Sequence, residues 1–110
     1  MLFRSQIEMR FGRELSIEPK LLKAAAERIE EGERRGTRGI PRGDTLLLVI
    51  GRGTTDPDAN SNISKLARML WEGMGFGWAE VGYSGTAAPL TEPALRHAAK
   101  LGFRRIVVFP

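Results

Sequence analysis

The sequence contains no cysteine, which excludes a disulfide scaffold, a thiolate zinc site, an iron–sulfur cluster and a cysteine nucleophile. Histidine occurs once, at position 97, so a metal site built only from imidazoles of this chain is excluded too. Long apolar runs are also missing. The longest, residues 46–50 and 106–109, fall far short of the roughly 20 residues needed to cross a bilayer. Arg4, Glu8 and Arg10 interrupt any apolar core at the amino end, so no signal peptide is expected there. No membrane role is expected, and the cytoplasm is the default location. Aromatic residues amount to 7%. They do not interleave with the basic groups as a base-stacking platform would, and no nucleic-acid partner is expected.

What remains is the composition of a folded domain. The 110 residues are 42% apolar and 27% charged, which argues for one globular domain and against wholesale disorder. Lys and Arg outnumber Asp and Glu by 17 to 13, a net charge of +4. That balance favours anionic partners without saying which kind.

Residues 6–11 alternate polar and apolar, which predicts a short half-buried strand. Ser16-Ile17-Glu18-Pro19 introduces a helix whose apolar face is Leu21, Leu22, Ala25 and Ile29, with Gly32 as its stop. Residues 32–43 hold four glycines and four arginines and read as a mobile surface connection. Residues 45–50, Thr-Leu-Leu-Leu-Val-Ile, lack alternation, as in a central parallel strand covered on both faces. A helix follows with Ile63, Leu66, Ala67, Leu70, Trp71 and Met74 on one face, capped by Ser61 or Asn60. A strand over 79–84 comes next, then a helix capped by Thr91 with Leu95, Ala98, Ala99 and Leu101 on its apolar positions, then a strand over 105–109. The fold class is α/β: an open parallel sheet with flanking helices, strand 45–50 between the other two. Residues 1–44 form a strand, helix and flexible connection, and residues 45–110 an α/β lobe. The chain stops at Pro110 directly after a strand. The expectation is a piece of a longer protein, with a sheet covered by a partner as the other reading.

Ligands of open α/β sheets gather beyond the carboxyl ends of the strands. Residues 51–60 and 84–91 meet there. Gly51 and Gly53 permit a tight turn, Thr54, Thr55 and Ser84 offer hydroxyls, and Arg52 offers a charge. The helix start beyond them offers N–H groups to an anion, although Asp56 and Asp58 repel one. The segment is neither a dinucleotide fingerprint nor a Walker A loop. A structural turn with a solvent-facing arginine remains the bland alternative. His97 falls inside the last helix, away from this rim, and Trp71 and Trp78 read as packing anchors.

Leu47-Leu48-Val49-Ile50-Gly51-Arg52-Gly53-Thr54-Thr55-Asp56-Pro57-Asp58-Ala59-Asn60-Ser61 resembles a segment of the class II tetrapyrrole chelatases, specifically the long CbiX-type sirohydrochlorin cobaltochelatases. Residues 66–73 and 75–78 and the stretch 101–110 are similar to the same family. Ile17-Glu18-Pro19-Lys20-Leu21-Leu22 resembles the join between its two similar halves. The resemblance implies the linker and most of the second lobe of such an enzyme, a chelatase-like sheet incomplete at its carboxyl end. Such enzymes place cobalt, or in related cases iron or nickel, into sirohydrochlorin without ATP. The family's active lobe carries Gly-His-Gly where this chain has Gly51-Arg52-Gly53. Arginine does not serve as a neutral metal ligand, so the resemblance implies no catalytic and no metal-binding residue here. It leaves Arg52, Gly51, Gly53, Thr54, Thr55 and Ser84 to bind substrate carboxylates. The implied role is part of a cobaltochelatase of cobalamin biosynthesis, inactive as an isolated chain. No cofactor is held tightly, and Co2+ is a substrate. The partners are a sirohydrochlorin-like tetrapyrrole and a missing chelatase lobe or second subunit. The alternative is a small anion- or nucleotide-binding α/β module without catalysis.

Overall fold

A computed structural model describes residues 19–36 and 38–110; the strand expected over residues 6–11 and the lead-in Ser16–Glu18 lie outside the described residues. The first helix, α1, spans Pro19–Arg35, with proline in the opening turn where its missing N–H removes no intrahelical bond. It runs one turn past Gly32. Leu22, Ala25, Ala26 and Ile29 are buried, whereas Leu21, expected on the same face, is 55% exposed.

A 3-10 turn at Arg42–Asp44 leads into β1, Thr45–Gly51. Helix α2 then spans Pro57–Met74, β2 Trp78–Tyr83, α3 Thr91–Ala99 and β3 Arg105–Phe109. The sheet is parallel in the order β2-β1-β3, with Val49 opposite Val81 on one side and Phe109 on the other. The expected central position of residues 45–50 is thus what the chain adopts.

Alternation along β1 explains its unbroken apolar run. Leu47 and Val49 pack with α1 and α2, together with Leu66, Met69, Leu70 and Phe76. Leu46 and Leu48 point to the opposite face and meet Ala94 and Ala98 of α3. With both faces covered, no polar side chain is tolerated between residues 46 and 50. The second core is the smaller. Helix α3 has nine residues and lies chiefly over β1 and β2, with Ile106 of β3 packed at the margin of that core. Val108, on the bare side of β3, is therefore 48% exposed, and Leu95 and Leu101 also face outward.

The helix ends differ from the expected ones for identifiable reasons. Helix α2 begins at Pro57, because the Asp56 carboxylate accepts the Asp58 N–H at 3.0 Å and caps it before Asn60 or Ser61 could. It ends where Gly75 takes a φ of 80° and donates its N–H to Trp71 O. Helix α3 has no side-chain cap, because the Thr91 hydroxyl donates instead to Tyr83 O at 3.1 Å. Trp71 and Trp78 pack against each other with ring centroids 4.8 Å apart. No helix among the described residues is long and apolar enough to cross a membrane.

Candidate functional site

The rim at the carboxyl ends of β1 and β2 is built from residues 51–56 and 83–91. Gly51 closes β1, buried, and its carbonyl accepts the Ser84 N–H at 2.9 Å. The Ser84 hydroxyl reaches Arg52 O at 3.4 Å. Arg52 is thereby held by its backbone while its side chain is exposed, with no hydrogen-bond or ion-pair partner among the described residues. Gly53 has a φ of 80°, and a Cβ there would fall on the carbonyl oxygen of Gly85. The turn after β1 and the turn after β2 are stacked backbone to backbone, a contact that only glycine permits.

Thr54 is occupied rather than available. Its N–H donates to Asn60 Oδ1 at 3.1 Å, its carbonyl accepts from Asn60 Nδ2 at 2.8 Å, and its hydroxyl accepts the Asp56 N–H at 3.2 Å. The Tyr83 hydroxyl donates to Asn60 O at 3.1 Å, joining this clasp to β2. Thr55 is exposed. Among the expected site residues the structure therefore brings Gly51, Arg52, Gly53 and Ser84 into direct backbone contact. It gives Thr54 a structural load and leaves Thr55 at the surface. The donors at the start of α2 do not await an anion, because Asp56 already occupies that place.

Asn60 and Tyr83 are the members that sequence reasoning missed. Asn60 was weighed only as a helix cap. Its position six residues after Thr54, across a loop-to-helix junction, was the available signal.

The rim can grip an anion with one unpaired guanidinium; it cannot hold a metal by nitrogen. Arginine offers donors only. Asp56 is committed to the α2 cap. His97 is exposed in the last turn of α3, a helix that starts beside Tyr83 at the rim and runs away from it. No group of three or more potential metal-ligating side chains occurs among the described residues.

Comparison with known proteins fits this description. The family model CbiX matches residues 46–110. Sirohydrochlorin cobaltochelatase of Priestia megaterium is 36% identical over 101 residues, covering 91% of this chain and 32% of that protein. Sirohydrochlorin ferrochelatase of the same organism is 24% identical over 105 residues, covering 96% of this chain and 38% of that protein. The chain spans about a third of the length of the curated relatives it matches. No solved structure matches it.

One expectation is corrected. The chain is not identified as the linker and second lobe of a long-form enzyme: the match is to a single CbiX domain, with no second lobe in evidence. The fold supplies a physical reason. Helix α1, taken as part of an inter-lobe join, buries Leu22, Ala25, Ala26 and Ile29 in the same core as β1 and α2. It is an integral layer of this domain.

Proposed function

The chain belongs to the CbiX family, and on that footing we propose that it serves a sirohydrochlorin chelatase, gripping the carboxylates of the ring while a divalent metal replaces the pyrrole protons. Cobalt(II) is the metal substrate of choice in this reading, supported by the greater likeness to the cobaltochelatase than to the ferrochelatase. The work belongs to cobalamin synthesis in the cytoplasm.

Arg52 carries the proposal. Its backbone is fixed by Ser84 and by the stacked glycine turn, and its guanidinium is exposed without a partner at the ligand-binding end of the sheet. A planar fork of donors suits a carboxylate, and a tetrapyrrole edged with carboxylates suits a fixed arginine. Gly51, Gly53 and Ser84 set its place, Thr54 anchors the loop, and the exposed Thr55 hydroxyl is free to add a hydrogen bond.

Metal insertion also needs a group that carries the ion and bases that take two protons. Oxygen-only donors are a poor match for cobalt, which favours imidazole. In this reading a histidine-bearing unit, as a second subunit or otherwise, supplies that chemistry, and the 110-residue chain alone does not turn over. The test is absorbance titration with sirohydrochlorin, followed by cobalt addition with spontaneous insertion subtracted. Saturable ring binding without added turnover is the expected result. Absence of ring binding, or substantial cobalt insertion by this chain alone, overturns it.

A further inference from the structure

At the opposite end of the sheet, beside the first residues of β1 and β3, lies a cavity of about 570 Å³ lined chiefly by Glu30, Glu33, Arg34, Arg38, Arg42 and Arg105. It is an open concavity with charged walls, accessible from solvent.

The charges do not balance. Glu33 accepts from Arg42 through both oxygens, at 3.0 and 2.7 Å, and from Arg105 Nη2 at 3.2 Å. Arg42 also donates to Met74 O at 3.2 Å, and its guanidinium lies 5.6 Å from the centre of the Phe76 ring. Arg105 donates to the Thr45 hydroxyl at 3.0 Å. These two guanidiniums are part of a fixed floor, and the second carboxylate, Glu30, stands 3.7 Å from Arg42. Two carboxylates thus answer two arginines.

Arg34 and Arg38 are left over. Neither has an acidic partner among the described residues; Arg38 makes one hydrogen bond, Nη2 to Arg34 O at 3.1 Å. That bond fastens Arg38 to the last turn of α1 and leaves most of its donor fork unused. Four arginines against two glutamates leave a local charge of +2 on the walls of one concavity. Like charges brought together in this way repel, and a bound dianion relieves the repulsion.

We propose that this cavity is a binding site for a compact oxyanion carrying at least two negative charges, held by Arg34 and Arg38 over the Glu33-Arg42-Arg105 floor. The shared chemistry is that of a phosphoryl group or of paired carboxylates on a small molecule. The site lies at the amino ends of the strands and does not involve Arg52, so it stands independently of the tetrapyrrole reading.

The 110-residue chain, titrated by NMR with inorganic phosphate and separately with citrate at constant ionic strength, tests it. Saturable shifts are expected at the amides and side chains of Arg34, Arg38, Arg42 and Arg105. The double variant Arg34→Gln/Arg38→Gln should bind about tenfold more weakly, equivalent to about 1.4 kcal/mol. Arg34→Lys/Arg38→Lys, which keeps the charge but loses the forks, should fall between. Tighter citrate binding marks paired carboxylates and tighter phosphate binding a phosphoryl group; either supports the site. Lys20→Gln/Lys100→Gln removes two charges elsewhere and should leave binding unchanged. Absence of saturable shifts with both anions overturns the proposal. So does equal weakening in the lysine control, which would mean that net charge alone is at work.

Discussion

The Asn60 carboxamide pairs with both backbone groups of Thr54, accepting its N–H at 3.1 Å and donating to its carbonyl at 2.8 Å. One side chain at the start of α2 thus does the work of a β-ladder for the loop after β1. Asn60→Ala leaves two part-buried backbone groups without partners, and should destabilise the protein by about 1–3 kcal/mol. Asn60→Asp keeps the acceptor and loses the donor, so it should fall between. Urea denaturation gives the magnitude, and amide exchange at Thr54 should quicken in Asn60→Ala, which removes the acceptor of its N–H. Unchanged exchange at Thr54 would mean that the clasp does not hold the loop.

Gly53 and Gly75 share a φ of 80° but not their surroundings. A Cβ at Gly75 meets nothing within 4 Å, whereas at Gly53 it meets the backbone of the neighbouring turn. Gly75→Ala should therefore cost about 1 kcal/mol for the left-handed conformation alone. Gly53→Ala should cost about 2–3 kcal/mol, because strain and a collision with a carbonyl are added together. Thermal unfolding of the two variants separates dihedral cost from close approach. Equal losses would show that the two turns can part freely.

Glu33 is the hinge of the charged floor. Its side chain is 13% exposed and that of Arg105 12%, so removing the carboxylate takes a charged acceptor from one nearly buried guanidinium and one partly buried one. Glu33→Ala should cost about 2–3 kcal/mol, below the range for a wholly buried pair because the Arg42 side chain remains 34% exposed. Hydrogen bonding to Glu33 raises the Arg42 pKa above its ordinary value, partly opposed by burial. A raised value makes the protonated form the stabilised one, and the contribution is lost only as pH climbs through the guanidinium range. The loss in Glu33→Ala should accordingly be the same at neutral and mildly alkaline pH, measured by denaturant titration.

Strand order was legible because burial on two faces leaves a mark in one dimension. Residues 46–50 are apolar without a break, while residues 79–84 alternate, and only the first pattern suits the middle of a sheet. Helix ends were less legible, since each candidate cap had a competitor that acts through space. Asp56 caps α2 ahead of Asn60 and Ser61, and Thr91 turns its hydroxyl to Tyr83 O instead of to its own helix. Leu95 faces outward although it sits at helical spacing, and Leu101 falls beyond the end of α3 at Ala99. The glycines and Arg52 at the rim could be placed from their position after a strand. The Asn60 clasp and the Glu33 floor could not, since both join residues whose partners are set by how the chain folds back.

On the proposed function, Arg52 separates ring binding from metal handling. It is exposed, and its side chain touches no partner among the described residues, so Arg52→Ala should change stability by no more than about 0.5 kcal/mol. Sirohydrochlorin affinity should fall about tenfold, the worth of one charge-assisted fork to a carboxylate. Arg52→Lys keeps a point charge without the planar fork and should recover part of the loss. Neither variant should alter whatever Co2+ uptake the chain shows, because an arginine contributes no lone pair to a cation. Fluorescence or absorbance titrations with the ring and calorimetry with cobalt, run on the same three proteins, give the two affinities side by side. Loss of cobalt binding with ring binding intact would place Arg52 in metal handling and refute its assignment to a substrate carboxylate.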